Sequence, residues 1–111
     1  MQWIHLTGEE QLKQIISKSQ VKPQVIFKHS TRCSISAVAL QRLHKVSPPS
    51  EIDFYFLDLL AYRKLSNTIA DVFQVYHESP QVLLIKDGDC VYDESHLSIS
   101  MNEIIEHMHA A

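Results

Sequence analysis

The hydrophobic pattern switches repeatedly between short apolar runs and stripes with helical spacing. Trp3-Ile4-His5-Leu6 reads as a short strand. Thr7 then stands as a helix N-cap, and Glu10 three residues later completes a capping-box pattern. Leu12, Ile15 and Ile16 share one face, which predicts a helix to about Ser19, with Pro23 marking the break after it. Val25-Ile26-Phe27-Lys28-His29 is apolar and rich in strand formers, so it reads as a buried strand. The polar loop Ser30-Thr31-Arg32 leads into a second helix beginning at Ser34. Ile35, Val38, Ala39, Leu43 and Val46 recur along it at helical spacing, and Ser47-Pro48-Pro49-Ser50 ends it. Between Ile52 and Leu60, Phe54-Tyr55-Phe56-Leu57 is apolar on both faces, which suits a strand covered on both sides. Leu65, Ile69, Val72 and Phe73 form a third helical stripe. The strand Gln81 to Ile85, the turn dipeptide Asp87-Gly88 and the strand Cys90-Val91-Tyr92 read as a hairpin. A last helix starting near Ser100 carries Met101, Ile104, Ile105 and Met108 on one face.

The resulting order is β-α-β-α-β-α-β-β-α. Its early alternation requires parallel strands joined by crossover helices, and the hairpin adds an antiparallel pair. This is an α/β chain with a thioredoxin-like layout, a central mixed sheet flanked by helices on both faces. With 111 residues and no repeats or linkers, residues 1–111 are expected to form one such domain. The hydrophobic fraction of 45% and charged fraction of 21% are those of an ordinary globular protein. A net charge of -3 without a basic stripe argues against nucleic acid as a partner. No apolar run is long enough to span a bilayer, so no membrane association is expected. The first six residues show no basic leader, apolar core or cleavage site, so the expected compartment is the cytoplasm, where thiols stay reduced. With only two glycines, no phosphate-cradling loop is present.

The residue that points to chemistry is Cys33, at the junction of a strand and a helix. Unpaired amides and the helix dipole favour thiolate there, and such placement brings a cysteine pKa from about 8.5 into the range of roughly 3.5 to 7.5. Arg32 adds positive potential beside it. The alternative is a small buried residue at a helix start, as free cysteines often are. Ser36 occupies the place of the second thiol in a C-x-x-C motif, so Cys33-Ser34-Ile35-Ser36 cannot close a disulfide on itself. Ser79-Pro80 precedes a buried strand, where an X-Pro bond can be cis, although trans is the ordinary outcome for the dipeptide alone. In a thioredoxin-like fold a cis bond turns the Ser79 backbone toward the Cys33 loop, ready to pair with an incoming chain. Seven histidines are scattered without metal-ligand spacing, and no metal is expected. His29 and His77 differ in that the fold could bring both near Cys33, where either could stabilise a thiolate or meet an anion; the alternative for each is an ordinary surface histidine. Cys90, beside the hairpin turn, reads as structural and not as a resolving thiol.

Thr31-Arg32-Cys33-Ser34-Ile35-Ser36 resembles the T-x-C-P-I-S motif of YtxJ-type monothiol bacilliredoxins, a family of the thioredoxin-like superfamily. Phe27-Lys28-His29-Ser30 before it and His77-Glu78-Ser79-Pro80-Gln81 also resemble that family, over nearly the whole chain. Ser34 departs from the pattern, standing where the family usually has proline. The resemblance implies a monothiol thiol-disulfide oxidoreductase that removes bacillithiol from S-bacillithiolated proteins. Cys33 would be the nucleophile, with bacillithiol as co-substrate and no bound cofactor. It further implies that Ser79 and Pro80 align the disulfide, and charge suggests Lys28, Arg32 or His77 as partners of bacillithiol's carboxylates. The partners would be S-bacillithiolated clients and bacillithiol, and the protein is expected to act as a monomer. The alternative is a binding or redox-signalling module that docks partners, or holds a thiol adduct on Cys33, without turnover.

Overall fold

One strand lies between two hydrophobic layers and organises the rest of the chain. The computed structural model describes residues 2–110. Its elements are β1 (Ile4–His5), α1 (Glu9–Lys18), β2 (Gln24–His29), α2 (Ser34–His44), β3 (Asp53–Asp58), α3 (Arg63–Phe73), β4 (Gln81–Lys86), β5 (Asp89–Ser95), a tight 3-10 turn over His96–Ser98, and α4 (Met101–His109). The strands lie in the order β1-β3-β2-β4-β5. Both β1 and β2 run parallel to β3, whereas β4 runs antiparallel to β2 and to β5. The expected mixed sheet of a thioredoxin-like α/β fold is therefore present.

All six residues of β2 are buried, and the strand period of two distributes them between the layers. Val25 and Phe27 pack with Ala39 and Leu43 of α2 and with Met101, Ile104 and Met108 of α4. Ile26 packs on the other side with Leu12 and Ile15 of α1 and with Leu65, Ile69 and Phe73 of α3. Trp3 seals one end of the first layer. Its ring stacks on Phe27 at 5.5 Å and meets Phe54 and Phe56 edge-on at 6.1 and 5.8 Å.

Three local expectations are revised. Helix α1 starts after Gly8, which caps it without a side-chain hydrogen bond, so the Thr7–Glu10 capping box does not form. Starting one residue later moves the third helical position from Glu10 to Gln11. The Gln11 side chain accepts from the Thr7 backbone N–H at 2.7 Å and donates to the His5 carbonyl at 2.8 Å. In α2 the inward residues are Ser36, Ala39 and Leu43, whereas Ile35 and Val38 are 37% and 42% exposed and Val46 lies past the helix end. Small residues face the sheet because the helix lies close upon it. Strand β5 extends to Ser95, well beyond Tyr92. The turn before it has φ of 52° at Asp87 and 83° at Gly88, the left-handed pair that a two-residue hairpin turn needs.

Candidate active site

The site forms where two adjacent strands leave the sheet at the same end. The antiparallel pairing of β2 with β4 ends at Lys28 opposite Gln81. Beyond that pair, one chain continues through Ser30 to Cys33 and the other reaches back to Pro80 and Ser79, so register alone brings the two loops side by side.

Cys33 is the N-cap of α2, with an extended backbone at φ -111° and ψ 118°. Its N–H donates to the Ser30 carbonyl at 3.2 Å, and its carbonyl accepts from Ala37 at 3.3 Å, which fixes the loop over the first turn. The thiol is half-buried and unpaired. The Ser36 backbone N–H holds its pKa below the ordinary thiol value, helped by the Ile35 N–H and the Ser36 hydroxyl and partly opposed by desolvation. No closed capping hydrogen bond is made by the side chain, so the amides act as a field on an accessible sulfur. The first turn of α2 carries no acidic residue to cancel that field. Thr31, Arg32, Ser34 and Ile35 are exposed around the sulfur. Ser36 is fully buried, and its hydroxyl accepts from the Ser30 N–H at 3.3 Å. The serine thus braces the loop from below.

The Ser79-Pro80 bond is cis. Pro80 is buried, and its carbonyl accepts from the His96 N–H at 3.0 Å. The Ser79 backbone has no hydrogen-bond partner among the described residues, and its hydroxyl is buried and unpartnered. Unused backbone donors and acceptors beside a thiol can pair with an extended chain. His96, at φ 58°, turns its ring to Glu78 at 3.3 Å and pins the outer side of this loop.

Two candidates sit differently from what charge alone suggests. Lys28 has no exposure, and its ammonium donates to the Ser66 carbonyl of α3 at 3.1 Å. It is not presented to a carboxylate at the surface, because strand alternation turns it under α3. His29 is 7% exposed, packed against Phe56 at 5.1 Å and Phe27 at 5.8 Å, with both ring nitrogens unpartnered. Burial lowers its pKa and the Asp58 carboxylate works in the opposite direction, so a neutral ring is favoured. His77 is exposed, with Nδ1 3.3 Å from both the Lys28 ammonium and the Ser66 hydroxyl. Ser66 carries no signal in the sequence; the only hint of this cluster is a lysine inside an apolar strand.

Cys90 packs on the α1/α3 layer, across the sheet from the layer that holds α2. Its thiol donates to the Tyr92 carbonyl at 3.3 Å, and burial pushes its pKa up to about 11. At neutral pH, iodoacetamide is therefore expected to label Cys33 alone in the folded protein, and Cys90→Ser to keep wild-type thiol exchange. Mass mapping that finds Cys90 labelled as fast as Cys33 would contradict this assignment. Among the described residues no group of three or more His, Cys, Asp or Glu is placed to hold a metal ion. Among the described residues no helix is long and apolar enough to cross a membrane.

A thiol with a lowered pKa at a helix N-terminus, beside a cis-proline loop at the end of a mixed sheet, is the arrangement of a thioredoxin-fold thiol oxidoreductase. Solved structures agree on the fold. A thioredoxin-fold structure whose description proposes an oxidoreductase is 31% identical, with a TM-score of 0.83 over 96% of this chain and 93% of that one. A thioredoxin of Malassezia sympodialis superposes with a TM-score of 0.77 at 17% identity, over 96% and 90% of the two chains. Thioredoxin f2 of Chlamydomonas reinhardtii gives 0.72 at 15% identity, over 95% and 92%. The family model described as monothiol bacilliredoxin BrxC matches residues 4–104, and the chain belongs to that family.

Proposed function

We propose that this protein removes bacillithiol from S-bacillithiolated proteins by a monothiol cycle at Cys33. The observation that carries the reading is the pairing of an activated thiol at the α2 N-cap with a buried serine at the resolving position. The Cys33 thiolate attacks the bacillithiol sulfur of the mixed disulfide. The client's sulfur leaves with the bonding electrons and takes a proton from water, and bacillithiol remains disulfide-bonded to Cys33. A second bacillithiol thiolate then attacks that adduct, giving bacillithiol disulfide and free Cys33. Ser79's unpaired backbone would align the incoming chain, and the exposed Arg32 would meet an anionic group of the adduct. The partners are S-bacillithiolated clients and bacillithiol, the compartment is the cytoplasm, and a monomer with no bound cofactor suffices for the cycle.

A second reading is favoured by the exposed Ile35 and Val38 on the first turns of α2, an apolar strip suited to holding a partner protein without turnover. One experiment separates the two. An S-bacillithiolated protein in excess over enzyme, with free bacillithiol, is expected to be released at many equivalents per Cys33. Release that stops at one equivalent would replace the cycle by stoichiometric capture.

A further inference from the structure

Lys28 is a charged side chain with no exposure in the middle of an apolar strand. Burial pushes its pKa down to about 8. A methionine of similar length would fill the space without that desolvation cost, so packing does not account for the lysine. Its contacts do. The ammonium donates to the Ser66 carbonyl at 3.1 Å and lies 3.3 Å from His77 Nδ1, with the Ser66 hydroxyl 3.3 Å from the same nitrogen. An ammonium has only donors, so Nδ1 is the acceptor and the ring proton sits on Nε2, which has no partner among the described residues. A doubly protonated ring would set an N–H against the ammonium, so the pair carries one positive charge. The pKa of His77 is lowered accordingly, by burial first and then by Lys28 and Arg63, with Glu78 opposing. Asp71 is a further charged group that lines, with His77, the depression at the end of α3. His77 lies two residues before Ser79, and the Gln81 side chain holds the Tyr76 carbonyl at 2.9 Å. Side chains from β2 and β4 therefore fix Tyr76 and His77, the residues that lead into Ser79.

We propose that Lys28 is a positioning residue: it fixes the His77 ring with Nδ1 inward and Nε2–H outward, so that the Ser79 backbone is held in place and one neutral N–H is offered to an oxygen acceptor on the incoming disulfide. This rests on the thiol-exchange reading above. The arrangement holds between the lowered pKa of His77 and the value of about 8 for Lys28. Above that window the ammonium loses its proton and the tie weakens; below it the ring gains a second proton and is repelled.

The test uses the full chain with Lys28→Met, read by an NMR titration of the His77 ring and by kinetics on an S-bacillithiolated peptide. The His77 pKa is expected to rise once the neighbouring ammonium is gone. The KM is expected to rise roughly three- to tenfold, the value of one hydrogen bond, while the alkylation rate of Cys33 stays that of wild type. His77→Leu should raise KM equally and the double variant no further, because the two residues act as one unit. The same His77→Leu kinetics stand alone if Lys28→Met aggregates. An unchanged His77 pKa in Lys28→Met, or KM effects that add, would overturn the proposal. If wild type fails to process the peptide, the bacillithiol reading falls while the His77 titration still decides the tie.

Discussion

Cys33→Ser is expected to abolish thiol exchange, lowering the rate at least about a thousandfold, because no other group near the site can take over as nucleophile. Ser36 is buried and hydrogen-bonded below the loop, and Cys90 lies across the sheet with its pKa raised to about 11. Serine at the N-cap preserves helix capping, so the folded state of the variant should match wild type and the loss should be chemical. In the wild-type protein, only thiolate attacks, so the rate should rise with pH and level off above the Cys33 pKa. That pKa is held down chiefly by the Ser36 N–H, which places the midpoint below that of an ordinary thiol. Stopped alkylation with iodoacetamide across pH, alongside release of a mixed disulfide, measures both. Residual turnover in Cys33→Ser would place the nucleophile elsewhere, and a midpoint at or above the ordinary value would remove the role of the first-turn amides.

The largest effect on stability is expected at Phe27→Ala, about 3–5 kcal/mol, or a fall of roughly 10–25 °C in Tm. Phe27 is fully buried in the strand that ends at the site. Its ring contacts Trp3 at 5.5 Å, Phe56 at 6.1 Å and His29 at 5.8 Å, so truncation opens a cavity with rigid aromatic walls that cannot collapse into it. Trp3 is the only tryptophan and stacks on the ring that is removed, so urea unfolding followed by its fluorescence reads the change directly. Val91→Ala, at a half-exposed position on β5, is the matched control and should fall within about 0.5 kcal/mol of wild type. A cost below about 1 kcal/mol at Phe27 would mean that the aromatic layer repacks freely.

The strands were legible in the sequence because burial on both faces leaves continuous apolar runs, as in Val25 to His29 and Gln81 to Ile85. Cys33 was legible too: a polar loop between such a run and a helical stripe places it at the helix start. Other features depend on differences that pattern does not encode. The inward face of α2 is built on Ser36 and Ala39, residues too small to register against Ile35 and Val38. Gly8 in place of Thr7 at the first cap shifts α1 by a single residue and passes the back-bonding role to Gln11. The isomer of Ser79-Pro80 is set by tertiary contacts, since the dipeptide by itself favours trans. Charge suggested a surface role for Lys28, but strand alternation directs it under α3, and Ser66 became visible only through that contact.

The buried serine at position 36 also dictates the kinetic order of recovery. A neighbouring cysteine would release an adduct from Cys33 at a rate fixed by its own effective concentration, whatever the surroundings hold. Here both thiols of the chain are free, and Cys90 packs across the sheet from the layer that holds α2, so a thiol arriving from solution would have to do so. In the proposed cycle recovery would therefore be second order: the lifetime of an adduct on Cys33 would lengthen in inverse proportion as the reduced thiol pool is drained. Through that dependence, the occupancy of Cys33 would become a gauge of how much reducing capacity remains outside the protein.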